Sequence, residues 1–307
     1  MRIVVTALFL LASFTIVEAQ RAEKVASESG KIFIAPQESP DGKFLAFTQE
    51  GYNGILLLKE NKEISLLTLD PASGYGFKWL QDGSGVVARS AKYTGYKREN
   101  SVVVYSLKGE NTLQLSGLSS KLTVLPTVST GGDVCFVESG EIKSYNTVSK
   151  STEVKAPAGI AAFIENDKIS VVSANSQKLV IDPVPGQRCI NAALSPDGNK
   201  VVFEIMGGNL FVVNSNGNSL IDLGKGFRAS WSPDSKIITY MITEDDGHVI
   251  TSSDIFTVSS DGTNKIAVTS TTDIIEMNPS FSANGEYIYF DNANEGAIYR
   301  IKTEVLK

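Results

Sequence analysis

The chain has 307 residues but one histidine, His248, and two cysteines, Cys135 and Cys189. These are too few for a Cys/His metal cluster or a disulfide scaffold, so no metal or cofactor is expected. A serine hydrolase site would have to use His248, and no Gly-x-Ser-x-Gly elbow is present, so no catalytic residue is assigned. Asp245 and Asp246 lie side by side without the twelve-residue ligand spacing of an EF-hand. A basic excess is also missing. Lys+Arg number 28 against 34 Asp+Glu, and the net charge of −6 gives no bulk attraction for nucleic acid. What is present is ordinary globular composition, 42% hydrophobic, enough for a sizeable core.

Arg2 is followed by an apolar run from Ile3 to Val17 and then Glu18, Ala19 and Gln20. A basic start, an apolar stretch of about 15 residues and small residues at a cut site make a secretory signal. Val17 and Ala19 suit the −3 and −1 positions, so residues 1–19 are expected to be removed, giving a secreted or periplasmic protein. No later run reaches the roughly 20 apolar residues of a membrane span. Export permits a Cys135–Cys189 bridge. Cys135 sits inside the apolar run Val134–Val137, however, and both cysteines are read as small buried residues.

From residue 20 onward the chain repeats one unit. Ser39-Pro40-Asp41-Gly42, Ser195-Pro196-Asp197-Gly198, Ser232-Pro233-Asp234-Ser235 and Ser282-Ala283-Asn284-Gly285 each precede an apolar, β-branched or aromatic run. Weaker copies stand at Leu80-Gln81-Asp82-Gly83, Ser129-Thr130-Gly131-Gly132 and Ile164-Glu165-Asn166-Asp167. Proline presets φ at the second position of a type I turn, Asp suits the third and Gly the fourth, so each copy is a hairpin turn between strands. Further strands follow, as in Asn209–Val213 and Asp254–Val258, and the unit reads as a four-stranded meander. Turns recur 31 to 50 residues apart, and the wrap-around distance from Asn284 to Asp41 is 44. Ala22–Ala26 can therefore supply the outer strand of the last unit and close a ring. Periodic meanders of this length form β-propellers. The expectation is all-β, a single propeller over residues 20–307 with seven blades, or six if the short unit at about 156–189 is not one.

Residues 39–47, 195–203, 231–240 with 254–258, and 281–290 resemble the WD-like repeat of TolB-type β-propellers. That family carries an α/β domain ahead of its propeller. Only about fifteen residues separate the expected cut from the first blade, so the resemblance implies a stand-alone propeller. Similar blades occur in propellers attached to peptidoglycan-binding domains and in prolyl-oligopeptidase-like enzymes, and the motif implies fold more than activity.

Strand alternation places candidate sites. One inner-strand column, Glu38, Trp79, Val128, Phe163, Leu194, Trp231 and Phe281, is apolar but for Glu38 and is expected between blades. Its neighbours face a central channel, where Gln37, Lys78, Asn191, Arg228 and Asn278 are the polar candidates. Two units have long second-to-third-strand loops. One carries Tyr93, Tyr96, Lys97 and Arg98; the other carries Asp245, Asp246 and His248. Both should rise on the face where the channel candidates enter, and loops on a rigid scaffold are where binding concentrates. The function expected is a non-catalytic module, monomeric, that binds a protein partner in the envelope or extracellular space. The alternative is a propeller that takes a small molecule or glycan at its channel mouth, including lyase- or lactonase-type chemistry.

Overall fold

The computed structural model describes residues 22–108, 112–147, 149, 151–153, 157–174 and 177–303. The expected signal, residues 1–19, lies outside them. The turn motif builds its hairpins through one serine. Ser39 accepts the Phe44 N–H on Oγ at 3.0 Å and donates the hydroxyl to Asp41 Oδ1 at 2.7 Å, while the Gly42 N–H closes the turn on the Ser39 carbonyl at 2.9 Å. Ser195, Ser232 and Ser282 make the same two side-chain bonds. A buried hydroxyl that is satisfied on both sides fixes the turn and so the register of the two strands.

Seven antiparallel sheets follow in chain order and form the blades of a β-propeller. Blade 1 comprises Phe33–Glu38, Phe44–Gln49, Ile55–Lys59 and Ile64–Thr68. Blade 2 comprises Lys78–Trp79, Gly85–Thr94, Lys97–Ser106 and Leu113–Gln114. Blade 3 comprises Thr127–Val128, Val134–Glu138, Glu141–Asn146 and Ser151–Glu153. Blade 4 has three strands among the described residues: Ile160–Glu165, Lys168–Ser173 and Lys178–Ile181. Blade 5 comprises Cys189–Leu194, Lys200–Ile205, Leu210–Asn214 and Ile221–Gly224. Blade 6 comprises Phe227–Trp231, Ile237–Asp245, Ile250–Ser259 and Ile266–Ala267. Blade 7 takes Glu276–Phe281, Tyr287–Asn292 and Ala297–Lys302, and its outer strand is Glu23–Ala26 from the other end of the chain. Glu23 pairs with Arg300 and Lys24 with Tyr299, which closes the ring. Seven blades, not six, is therefore the count.

Successive blades share apolar clusters. Ala46, Ile55 and Leu57 of blade 1 pack with Trp79, Val86 and Val103 of blade 2. Trp79 and Trp231 are buried between blades, and each donates its indole N–H to the preceding blade, to the Gln37 carbonyl at 3.0 Å and the Ala193 carbonyl at 2.9 Å. Glu38, the polar exception of that column, accepts the Tyr289 hydroxyl and the Ala283 N–H, each at 2.7 Å, and so ties blade 1 to blade 7. Cys135 and Cys189 are free and buried in blades 3 and 5, and burial pushes their thiols up to about 12 and about 11. No helix among the described residues is long and apolar enough to cross a membrane.

A second tie lies nearer the axis. The inner strands of blades 1, 5, 6 and 7 bulge, and the residue that bulges has φ near +50°: Ala35 (55°), Asn191 (52°), Arg228 (54°) and Asn278 (49°). Blade 2 has Gly76 there at 68°, where an added Cβ would also lie 2.6 Å from Leu125 Cδ1. Bulging turns one N–H out of its own ladder. At three interfaces the preceding blade takes it. Glu204 Oε1 accepts from Arg228 at 2.7 Å, Met241 Sδ from Asn278 at 3.4 Å, and Asp291 Oδ1 from Ala35 at 2.9 Å.

Two predictions follow from closure and from these buried acids. Ala26 is buried against Phe33, Phe47 and Tyr289, so Ala26→Asp should lower stability by about 3 kcal/mol in urea denaturation through an unpaired buried charge. Burial holds the carboxyls of Asp291 and Glu276 at about 7 and raises that of Glu204. In the unfolded chain such groups lose their protons near pH 4. The folded protein therefore binds more protons between about pH 4 and 7, and its stability should fall as pH rises through that window. Asp291 alone contributes up to about 1.4 kcal/mol per pH unit. Asp291→Asn keeps an Oδ1 acceptor for Ala35 and should shrink the loss of stability between pH 5 and pH 8. An unchanged loss would assign the proton to another group.

Candidate functional site: the axial channel and the long hairpins

The inner strands surround a cavity of about 670 Å³. It runs from Tyr52 and Tyr75, on the face where second-to-third-strand hairpins and inter-blade connections emerge, to Pro196 on the face of the Pro-Asp-Gly turns. All five channel candidates, Gln37, Lys78, Asn191, Arg228 and Asn278, line it. The bulge explains how three of them get there. A left-handed residue swings its side chain off the regular alternation, so Asn191, Arg228 and Asn278 turn toward the axis. Asn278 then donates from Nδ2 to Asp291 at 3.0 Å, which leaves it largely committed to the fold.

The channel carries more positive than negative charge: its one lining acid among the described residues, Glu38, is taken up by the Tyr289 hydroxyl and the Ala283 N–H. Lys78, Arg89 and Arg228 line the channel, and among the described residues none of the three is in an ion pair. Burial pushes the Lys78 ammonium below the usual lysine range. Arg89 is lowered by burial and by the charge of Arg98. Its Nη1 donates to the Thr123 carbonyl, but its buried Nε has no partner. The Arg228 guanidinium lies 6.0 Å from the centre of the Tyr75 ring, which meets Tyr52 edge-on at 5.0 Å. Arg228 belongs to blade 6 and Tyr75 to the connection between blades 1 and 2, so this contact spans the channel mouth.

Tyr52, Tyr75 and Arg89 were not among the sequence candidates. The tyrosines come from connections, which carry no strand periodicity. Arg89 follows an apolar run on a second strand, and only the register Lys78↔Val87 shows that it stands diagonally from Lys78 on the channel side.

The second group of candidates lies elsewhere. None of Tyr93, Tyr96, Lys97, Arg98, Asp245, Asp246 and His248 lines the cavity. Their segments are not loops as expected but continuations of the strands. In blade 2 the ladder runs on through Lys92↔Glu99 and Tyr93↔Arg98 to Thr94↔Lys97, and the chain reverses at Gly95 with φ 61°. In blade 6 it runs on through Glu244↔Ser252 to Asp245↔Ile250. Cross-strand pairing satisfies the backbone that a loop would leave to water. Tyr96 is fully exposed, Tyr93 is more than half exposed with the Arg98 guanidinium 5.9 Å from its ring centre, and Val249 and Ile250 are exposed at the other tip. Asp246 spends one oxygen on the N–H groups of His248 and Val249, both at 2.9 Å, which shapes that tip. No group of three or more His, Cys, Asp or Glu placed to hold a metal occurs among the described residues.

No protein-family model and no curated protein matches the chain. Solved structures do. A streptogramin B lyase matches at 15% identity over 93% of this chain and 99% of its own, with a TM-score of 0.60. A protein assigned as TolB from Agrobacterium tumefaciens matches at 13% identity over 90% and 91%, TM-score 0.54. An oligogalacturonate lyase solved with manganese matches at 13% identity over 92% and 80%, TM-score 0.52. At these identities the likeness is one of fold: the chain is a β-propeller in architecture, and its chemistry has to be argued from its own side chains.

Proposed function

We propose that the protein is an exported, non-catalytic propeller that binds a protein partner through the face bearing its two long hairpins. The observation that carries this reading is the pair of tips themselves. A propeller needs no strand beyond the blade edge, yet blades 2 and 6 extend theirs and end in exposed apolar and aromatic side chains beside charge of opposite sign. Tyrosine and arginine are the residues that most often anchor protein interfaces, and Arg98 already stacked near Tyr93 loses little freedom on docking. The rest of the ring is a rigid mount for the two tips. Export rests on the signal-like residues 1–19, and the compartment is the periplasm or the exterior.

A second reading, a small-molecule or glycan ligand in the channel, is favoured by a separate observation: Lys78, Arg89 and Arg228 line the cavity without a counter-charge in contact.

Affinity capture from the native envelope or medium tests the first reading. The double variant Tyr93→Ala/Tyr96→Ala should lose its captured partner while keeping the melting temperature of the unmodified protein, because both side chains are exposed. Asp245→Ala/Asp246→Ala should weaken capture more at low than at high salt. Identical capture by both variants and the unmodified protein would refute the reading.

A further inference from the structure

The ring supplies its own comparison for the channel cations. At the Lys78 position the other blades carry Gln37, Thr127, Ala162, Ala193, Ser230 and Ser280. At the Arg89 position, two residues beyond the partner of each of these, they carry Thr48, Val137, Ser173, Glu204, Met241 and Asp291. Blades build equally well with amides, hydroxyls and methyl groups at these places. Lysine and arginine are therefore not required by the fold in blade 2.

They are costly there. The Lys78 ammonium has no hydrogen-bond or ion-pair partner among the described residues, and burial disfavours its charge. Arg89 has its Nε buried and unpartnered, and Arg98 repels it. Both side chains are half-buried, and a charge partly withdrawn from water without a counter-charge in contact is held at a cost. The two stand on adjacent strands as diagonal neighbours, a placement that separates Cα atoms by ~7–8 Å. Tyr75 lies close to both guanidinium groups, within 6.0 Å of Arg228 and in the electrostatic field of Arg89. The acids nearest Arg228 are Glu204 and Asp291. Neither lines the cavity, and burial raises both toward the protonated form. Each spends an oxygen on a backbone N–H, and the one acid that lines the cavity, Glu38, is held by Tyr289 and Ala283.

We propose that the channel mouth binds a small organic anion, its carboxylate or phosphate group received by Lys78, Arg89 and Arg228 and its body resting against Tyr75 and Tyr52. This rests on the reading that the channel takes a ligand, and adds the ligand's chemical class. An entering acid group supplies a counter-charge for Lys78 and for the Arg89 guanidinium. Between protein walls such charge-assisted contacts are stronger than at an exposed surface. The aromatic edge of the tyrosine pair offers an apolar wall for a sugar ring or short chain.

Calorimetric titration of the mature chain with glucose, glucuronate and glucose 6-phosphate tests this, because the three differ chiefly in charge. Both anions, or one of them, should bind at least about tenfold tighter than glucose, the gain expected from one charge-assisted contact. Preference for glucuronate assigns a carboxylate, and preference for the phosphate assigns a phosphate ester. Lys78→Met should cost about tenfold in anion affinity, leave glucose unaffected, and raise the melting temperature of the ligand-free protein by removing an uncompensated charge. Arg228→Gln, whose backbone ties do not depend on the guanidinium, should cost a similar factor. Glucose binding as tightly as the anions would overturn the anion proposal but leave the channel reading intact. Binding by none of the three would overturn the proposal for sugar acids and sugar phosphates and remove the support for the channel reading. Anion binding unchanged in both variants would place the anion elsewhere and overturn the proposal.

Discussion

Where an inner strand bulges at Ala35, Asn191, Arg228 or Asn278, one backbone N–H leaves its own sheet, and at three interfaces the preceding blade supplies the acceptor. Two costs are met together. A left-handed conformation at a residue with a Cβ is unfavourable by roughly 1–2 kcal/mol, and a buried carboxyl such as Asp291 needs donors. The N–H fixed by the strained residue satisfies the acid, and the acid holds the residue in its strained form. Because donor and acceptor belong to different blades, the contact also sets how one sheet is rotated against the next. Side-chain direction in the channel is a by-product: the same left-handed turn aims Asn191, Arg228 and Asn278 at the axis.

Closure of the ring places a further demand on these ties. Glu23–Ala26 completes blade 7 only if blades 1 and 7 meet in register, and four side-chain contacts meet there: Ala35 to Asp291, Tyr289 and Ala283 to Glu38, and the Ser280 hydroxyl to the Pro36 carbonyl at 2.6 Å. Each crosses more than two hundred residues of sequence. They form late in any folding route that proceeds blade by blade, because the loop entropy they close is the largest in the chain. Destabilisation at Ala26 or Asp291 should for that reason act on the whole ring rather than on one blade.

The architecture was legible because its determinants are local. Ser39, Asp41 and Gly42 interact within six residues, so the turn, its repeat distance and the number of blades can be read along the chain, and the spare strand at Ala22–Ala26 follows from counting. The inner-strand columns were legible for the same reason, since alternation alone separates Trp79 from Lys78. The hairpin extensions were not. Ala91–Asn100 and Glu244–Ser253 are polar and lack the apolar alternation of a half-buried strand, because neither face is buried, and only cross-strand pairing makes them strands. Glu204 and Asp291 were hidden differently. Each follows an apolar run one residue before its strand ends, Phe203-Glu204 and Phe290-Asp291, where a carboxylate ordinarily marks the edge of burial; here its acceptor is needed by a bulge some 24 residues away or across the ring closure. Nothing periodic announces such a pair.

The electrostatics of the molecule follow from which of these positions are bound by folding and which are not. At the second-strand ring position, Glu204 and Asp291 serve a bulge, so their identity is explained by the fold, and burial raises them toward the neutral form that a low-dielectric site favours. Arg89 occupies the equivalent place in blade 2, and the residue it faces in the following blade, Leu125, is not left-handed and frees no N–H, so no acid is needed there. An arginine cannot lose its proton to escape burial as Asp291 can gain one. The ring raises these two acids toward the neutral form and leaves its cations charged, and a chain with a net charge of −6 keeps an excess of positive charge along its axis, where three cations face the one lining acid Glu38. A potential of that sign is focused by the low-dielectric walls of the channel rather than cancelled by the surface charge. The hairpin of blade 2 continues the strand that carries Arg89, and Arg98 on that hairpin is the charge that disfavours Arg89.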